Sequence, residues 1–358
     1  MTVAQIYGII IMQSGKDVKP ELQKGQKKMK KANYLVLDCE TATLPFIKEL
    51  AVTEEERKKI AIARPIIYDI GWTIVQKDGT ILKKASYLVQ ETFFVPQVFE
   101  TAHYKSKRPK YIEKLNCGKI KTALWNNIME ELLEDCKKCN FVSAYNAAFD
   151  FKKAIPFTEK YIKALYSDSF DKFLRGQKWY LTNNDGAKTG KSKNSKYIKP
   201  DNDHFILRGE KFDLVDIWRL ASEMVNIFNY KNDCAAYPAI SNSGAYFKTS
   251  AEQVFRYVDN NYDFEEAHTA LEDAEIETQI LLMYFKRKKK IEKGIEAFPF
   301  RALGTTVDFA TNPRFKNRIS KEGVSNIYNA MMQYLQTAKP STFKTNIERQ
   351  AKILEALL

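Results

Sequence analysis

The chain alternates between short apolar runs, which have the length of buried strands, and longer stretches with helical spacing. The segments that indicate strands are residues 34–37, 66–75, 81–89, 141–144 and the first half of 212–220. Asp78-Gly79 separates the second from the third and favours a tight antiparallel turn. The first strand is therefore followed in the sequence by an antiparallel hairpin.

Apolar residues at helical spacing indicate the elements between these strands. The segments are 124–136, 148–154, the second half of 212–220, a helix from Thr249 onward with Ser250 as its N-cap, and a long helix over about 269–290. Strands mixed with helices, with an antiparallel hairpin early in the order, predict an α/β fold in which helices cover a mixed β-sheet.

Three segments differ in composition from the central domain, which is predicted to cover residues 32–290. Residues 1–31 end in a lysine cluster and predict a disordered basic tail, or an extension without a role in the fold. Residues 171–211 are rich in Lys, Asn, Asp and Gly and predict a long insertion. Prolines interrupt amphipathic stretches in residues 291–358, which predict a mostly helical C-terminal extension.

The composition favours a folded protein with an acidic partner. Hydrophobic residues make up 44% of the chain, and the net charge of +13 favours nucleic acid, although a lysine-rich chain can simply be soluble. The 5 cysteines do not make a disulfide framework, and Cys136 and Cys139 lack the second pair that a zinc site needs. Since no run could span a bilayer and no signal peptide is evident, we expect a cytoplasmic protein without membrane contact.

Asp38 and Glu40 follow the first apolar run, in the sequence LVLDCETAT. Residues two positions apart in a strand point to the same face, so these carboxylates would repel each other unless a cation lay between them. Hard divalent ions such as Mg²⁺ take oxygen ligands and suit such a pair. Cys39 would point the other way, into the packing. The alternative interpretation is two solvated acids at a strand end.

Two later segments carry further acids and a histidine. Asp150 falls in the first turn of a predicted helix, where an acid also complements the helix dipole. His268 precedes Asp273 by five residues, so the two can converge only if His268 lies in the turn before the helix. A lone histidine is more often a capping or surface residue than a catalytic one. Together, the acids could hold two metal ions, with His268 as the base that deprotonates an attacking water.

These segments resemble, in the same order, the three motifs of the DnaQ-like (DEDDh) 3′–5′ exonucleases. LDCET is similar to the first motif, YNAAFD to the second and HTALEDA to the third, and the resemblance covers residues 33–285. It implies a ribonuclease H-like mixed sheet flanked by helices. The implied site residues are Asp38, Glu40, Asp150 and Asp273 as metal ligands, His268 as general base, and Thr41, Leu44, Asn146 and Phe149 beside the 3′-terminal nucleotide.

The sequence departs from the family at one position, because Thr43-Leu44-Pro45 stands where the family has a glycine after the first motif. This departure could change how the base of the terminal nucleotide is bound. The resemblance implies Mg²⁺ or Mn²⁺ as a pair of cofactors and the release of nucleoside 5′-monophosphates from the 3′ end of single-stranded DNA or RNA, in proofreading or nucleic-acid processing. The alternative is an inactive nucleic-acid-binding or polymerase-associated scaffold on the same fold. A third hypothesis is that the C-terminal extension binds a polymerase or another replication protein.

Residues 249–274 also resemble exonucleases of large tailed bacteriophages, in which case the protein would act in the host cytoplasm. Two basic segments each have two possible interpretations. Residues 286–290 either offset the dipole of the long helix or contact backbone phosphates. The lysines of the insertion suit either a single-strand contact or a solvated loop: Lys188, Lys191, Lys193, Lys196 and Lys199, with Trp179, Tyr180 and Tyr197 nearby.

Overall fold

The apolar runs predicted as strands pair into one sheet. The structure, a computed structural model, describes residues 32–50, 53, 64–183, 201–237, 239–287, 291–295 and 320–358, and these belong to one unit. Its strands are β1 (Asn33–Ala42), β2 (Ile66–Gln76), β3 (Ile81–Val89), β4 (Lys121–Ala123), β5 (Phe141–Ala144), β6 (His204–Leu207) and β7 (Glu210–Asp216). They form a 7-stranded sheet in the order β4-β3-β2-β1-β5-β7-β6.

Strand directions in this sheet are mixed. β2 and β3 form the predicted antiparallel hairpin, and β1 pairs antiparallel with β2. β5 then lies parallel to β1, and β7 lies parallel to β5. At the two edges, β4 runs parallel to β3 and β6 runs antiparallel to β7. The predicted α/β class, with a mixed sheet flanked by helices, is confirmed.

Helices cover both faces of the sheet. They are α1 (Ile47–Leu50), α2 (Gln90–Phe93), α3 (Pro96–Phe99), α4 (Arg108–Asn116), α5 (Trp125–Cys136), α6 (Ala147–Phe149), α7 (Ile155–Leu165), α8 (Phe170–Asn183), α9 (Ile217–Met224), α10 (Ile227–Ala236), α11 (Ala251–Asp259), α12 (Ala270–Arg287), α13 (Lys321–Thr337) and α14 (Thr342–Glu355). A 3₁₀ helix (Lys105–Lys107) precedes α4, and a π-helix (Asp150–Ala154) joins α6 to α7. In the part of the chain that the structure describes, no helix has the length and apolarity needed to cross a membrane.

The strand β1 is buried on both faces. Leu35 and Leu37 belong to a hydrophobic cluster with residues of α5 and α7, whereas Tyr34 and Val36 belong to a second cluster with residues of α9 to α14. Such two-sided burial explains why the sequence of β1 is a continuous apolar run instead of an alternating pattern. Alternation along the strand then places Asp38 on the side of α12.

Several element predictions are confirmed at their boundaries. Strands β2, β3 and β5 and helix α5 match the predicted segments closely. Ser250 caps α11, and its hydroxyl accepts a hydrogen bond from the Gln253 backbone N–H. The strand β1 is longer than predicted, so Asp38 and Glu40 lie within it and not beyond its end.

Residues 171–211 hold more regular structure than their polar composition suggests. Helix α8 covers the first part, and its Phe173 and Leu174 pack against the first hydrophobic cluster. Strand β6 and the beginning of β7 form the last part. A few aromatic and aliphatic residues at helical spacing are enough to bind the helix to the core. Residues 184–200, with the five insertion lysines and Tyr197, lie outside the described residues, as do the leader 1–31 and residues 288–290.

The two C-terminal helices share the core of the sheet domain. Val324, Ile327 and Met331 of α13 and Leu354 of α14 lie in the same hydrophobic cluster as Val36 of β1. Serine side chains cap both helices at their N-termini. Residues 296–319, including two of the three prolines in the predicted extension, lie outside the described residues.

Gly71 marks a close approach of β2 to α12. A Cβ added at this position would lie 2.3 Å from the Leu271 backbone nitrogen and 2.5 Å from its Cα. Because backbone atoms cannot rotate away, we expect Gly71→Ala to lower the free energy of unfolding by about 3 kcal/mol or more, measured by denaturant titration. Gly176→Ala in α8 is the matched control, since its Cβ would meet nothing within 4 Å and should be neutral or stabilise the helix by up to ~1 kcal/mol. Equal stabilities of the two variants would contradict the close approach.

Candidate functional site

Three elements bring the predicted catalytic residues to one place. Asp38 and Glu40 come from β1, Asp150 begins the π-helix, and His268 and Asp273 lie just before and within the first turns of α12. Among the described residues, Glu40, His268 and Asp273 each offer a ligand atom, and these atoms lie within 4.8 Å of one another. Asp38 is close enough to the acidic members of this group, and to Asp150, for repulsion to raise the pKa of each.

A buried aspartate on β2, the strand next to β1, makes a hydrogen bond to the beginning of α12. Asp69 of β2 lies opposite Glu40 in the sheet register. Its Oδ2 accepts a hydrogen bond of 2.8 Å from the Ala270 backbone N–H. This N–H is one of the free donors at the beginning of α12, and a carboxylate is a favourable partner at a helix N-terminus. Asp69 thereby fixes the end of the helix that carries Asp273.

His268 lies in the turn before α12, the position from which convergence with Asp273 was predicted to be possible. Its backbone is left-handed, with φ of 56°, which is uncommon for a residue with a side chain. The Tyr111 hydroxyl donates to the His268 carbonyl at 3.2 Å, and the Asp273 N–H donates to the Thr269 carbonyl at 3.0 Å. The left-handed turn allows His268 and Asp273 to converge although five residues separate them.

The start of the second motif lies beside another buried aspartate that the sequence did not single out. Asp216, at the end of β7, accepts a hydrogen bond of 3.0 Å from the Trp218 backbone N–H, and the backbone N–H groups of Ala147 and Asn146 are near enough to oppose the rise in its pKa that burial causes. Asn146 has a left-handed backbone with φ of 62°, and the carboxylate of Asp216 lies beside this turn from β5 into α6. Asp150 then begins the π-helix, a distortion that is frequent at functional sites.

The acids of the site have raised pKa values. Burial raises the pKa of Asp38 to about 8, with contributions from Glu266 and Asp69, and raises that of Asp273 to about 9, with a contribution from Asp38. Burial, and then repulsion from Asp38, likewise raises the pKa of Glu40 and of Asp150. Each group is thus disfavoured in its charged form by its surroundings.

Two carboxylate oxygens in the site are buried without a hydrogen-bond partner among the described residues. These are Asp150 Oδ1 and Asp273 Oδ1. Buried polar atoms are normally paired, and unpaired ones are costly. Oxygen donors with this degree of mutual repulsion fit hard divalent cations, which would pair the free oxygens and offset the repulsion.

Two further acids belong to the cluster and were missed from the sequence. Glu277 is buried one helical turn after Asp273, and its Oε2 accepts a hydrogen bond of 3.0 Å from the Tyr145 N–H. The four-residue spacing on α12 was a signal that could have indicated it. Burial and then Glu252 raise the pKa of Glu266 to about 7. Its position before the left-handed turn gave no sequence signal.

Cys39 is buried in the first hydrophobic cluster, as expected from its position between the two acids of β1. Its thiol nevertheless lies near Asp150, because burial raises the pKa of this thiol and repulsion from Asp150 and Asp38 raises it further. Cys39 is therefore a neighbour of the site acids, in addition to packing in the core.

The predicted substrate contacts have different environments. Asn146 is exposed, whereas Thr41 and Phe149 are half-buried. Leu44 is fully buried in the first hydrophobic cluster, so in this structure it offers no surface to a nucleotide. The neighbouring Thr43 explains this position, because its N–H donates to the Thr101 hydroxyl at 2.9 Å and ties the segment to the protein.

Comparison with protein-family models gives no match to this chain, and comparison with curated proteins gives none.

Proposed function

We propose that this protein is a 3′–5′ exonuclease that hydrolyses single-stranded DNA or RNA with the help of two divalent ions. The observation that carries the proposal is the convergence of Asp38, Glu40, Asp150 and Asp273 from three elements, with oxygens of Asp150 and Asp273 that are buried and have no hydrogen-bond partner among the described residues. Buried oxygens are normally paired, and these belong to carboxylates that also repel one another. The same residues carry the resemblance to the DEDDh motifs, so chemistry and sequence support the same assignment.

The strand arrangement supports a ribonuclease H-like fold for this proposal. An antiparallel meander of β1, β2 and β3 continues into parallel β5 and β7 on the other side of β1. The carboxyl-terminal half of the central strand, where the acids lie, is at the junction of these two parts. In open α/β sheets, ligand sites commonly form beyond the carboxyl ends of the strands, at the point where the strand order reverses.

The four acids would hold Mg²⁺ or Mn²⁺, which stabilises charge on the attacking and leaving oxygens of a phosphodiester. His268 would accept the proton of the attacking water. Burial lowers its pKa below the usual value, and Lys107 lowers it further. The imidazole is therefore neutral near pH 7 and able to accept a proton, which is what a general base requires.

The direct test uses single strands labelled at the 3′ or the 5′ end. We expect the full-length protein to release labelled 5′-monophosphate immediately from 3′-labelled strands, and only at the end of digestion from 5′-labelled ones. Activity should require Mg²⁺ or Mn²⁺, be abolished by EDTA and be blocked by a 3′-phosphate. Duplex ends should be cut slowly, because the terminal nucleotide must leave its partner to reach the acids.

Three results would contradict the proposal. Hydrolysis in excess EDTA would exclude the metal mechanism, and fragments from a circular single strand would show endonuclease action. Binding of single strands without hydrolysis under any divalent condition would instead favour the inactive scaffold. DNA and RNA substrates of the same sequence, tested in parallel, would identify the preferred sugar.

A further inference from the structure

The ring of His268 lies flat against the ring of Tyr104. The two ring centroids are 4.1 Å apart and the planes differ by 11°. Tyr104 is half-buried and lies in the segment between α3 and the 3₁₀ helix. It also makes an edge contact with the ring of His103, with centroids 4.6 Å apart. Tyr104 thus comes from a segment that none of the three sequence motifs includes.

The same region of the chain also holds the backbone of the His268 turn. From α4, the Lys110 ammonium donates to the Ala267 carbonyl at 3.3 Å, and the Tyr111 hydroxyl donates to the His268 carbonyl at 3.2 Å. A left-handed backbone at a residue other than glycine is strained and persists when its surroundings hold it. Residues 104–111 therefore restrain both the backbone and the ring of His268.

Glu266 does not fix the imidazole in the same way. Its Oε2 lies 3.8 Å from His268 Nδ1, which is too long for a hydrogen bond. Its charge can favour one tautomer, but it leaves the ring free to rotate about its bond to Cβ. A parallel aromatic neighbour restricts this rotation, because turning the imidazole would break the stacked contact.

We propose that Tyr104 is a positioning residue that holds the imidazole of His268 in the orientation needed to accept a proton, an inference that rests on the proposed function. The relevant group is the aromatic ring, since the ring makes the stacked contact. Tyr104 would act through His268 without taking part in the proton transfer. Its removal should lower the fraction of molecules in which the base is aligned, and leave the metal ligands unchanged.

The kinetic test compares Tyr104→Ala with Tyr104→Phe in the full-length protein, using a short labelled single strand and saturating Mg²⁺. We expect Tyr104→Ala to lower kcat roughly three- to tenfold, which corresponds to the loss of one aromatic contact, with KM unchanged. Tyr104→Phe should restore kcat. Tyr246→Ala, an exposed tyrosine on another surface, is the matched control and should behave as wild type.

The stack can also be observed without activity. The chain has 3 histidines, so their ring-proton NMR signals can be assigned with His268→Gln and His103→Gln variants. Ring currents of Tyr104 should shift the His268 signals upfield in the wild type and in Tyr104→Phe, and this shift should disappear in Tyr104→Ala. The signals of His204, on β6, should not move.

Each outcome distinguishes the inference from the function on which it rests. Wild-type kcat in Tyr104→Ala, no rescue by phenylalanine, or a higher KM at constant kcat would overturn the positioning role. An unchanged His268 shift in Tyr104→Ala would overturn the stack itself. If the wild type hydrolyses nothing but shows the shift, the proposed function and the positioning role of Tyr104 both fail, whereas the stacked contact is confirmed.

Discussion

Asp38→Asn is expected to abolish metal-dependent hydrolysis while making the metal-free protein more stable. A metal clamp contributes several kcal/mol to the transition state, so its loss should lower kcat by about 10³-fold or more. Asparagine keeps the size of the side chain but removes its charge. Initial rates on a 3′-labelled single strand, over a range of Mg²⁺ concentrations, measure the effect. Asp168→Asn, at an exposed position outside the site, should retain the wild-type rate.

The stability effect of this variant has a definite dependence on pH. The folded-state pKa is about 8 for Asp38 and about 9 for Asp273, whereas unfolded aspartates titrate near pH 4. Between these values the folded state binds more protons than the unfolded state, so in EDTA the stability of the wild type should fall as pH rises from about 4 to 9. The stability of Asp38→Asn should fall less over this pH range, and at pH 8 in EDTA this variant should have a higher Tm than the wild type. A lower Tm than wild type in EDTA would contradict the repulsion described here.

His268→Gln is expected to lower kcat by roughly 10²- to 10⁴-fold, the usual contribution of a general base. Glutamine has a similar size but cannot accept the proton. The wild-type rate should rise with pH as His268 loses its proton, and the midpoint of this rise should lie below the ordinary pKa of histidine, because burial and Lys107 lower the pKa of His268. In His268→Gln this rise should be absent from the pH profile of kcat.

A histidine outside the site provides the control for that variant. His204 lies on β6, where its Nδ1 is 2.8 Å from Asp201 Oδ1. His204→Gln should retain kcat and the wild-type pH profile, even if it changes stability. Equal rates and profiles for His268→Gln and the wild type would show that another group, or solvent, accepts the proton.

Strands β1, β2, β3 and β5 and the main acids could be predicted because their signals are local. A two-sided apolar run such as residues 34–37 predicts a buried strand without any knowledge of its partners. The acids were noticeable because Asp38 and Glu40, two residues apart at the end of such a run, repel each other unless a cation lies between them. The turn of His268 before α12 followed from the helical angle between it and Asp273.

The supporting residues could not be predicted because their roles depend on contacts between distant segments. Asp69 lies within an apolar strand pattern, and only the fold shows that it meets the first N–H of α12. Asp216 likewise lies beside the turn at Asn146, about 70 residues away in the sequence. The stacking of Tyr104 on His268 joins segments more than 150 residues apart, and no periodicity in the sequence reports such a pair.

The close approach of α12 to Gly71 also determines how the site would receive its ions. The carboxylates of β1 and α12 push these two elements apart, and a looser contact would let them separate and relax into solvent. Backbone packed on backbone at Gly71, with Asp69 holding Ala270, prevents that relaxation. If the proposed function holds, the acids would therefore already be in place before a cation binds. Ion binding should then need little reorganisation of the chain, and the relief of repulsion among the carboxylates should contribute to the free energy of binding.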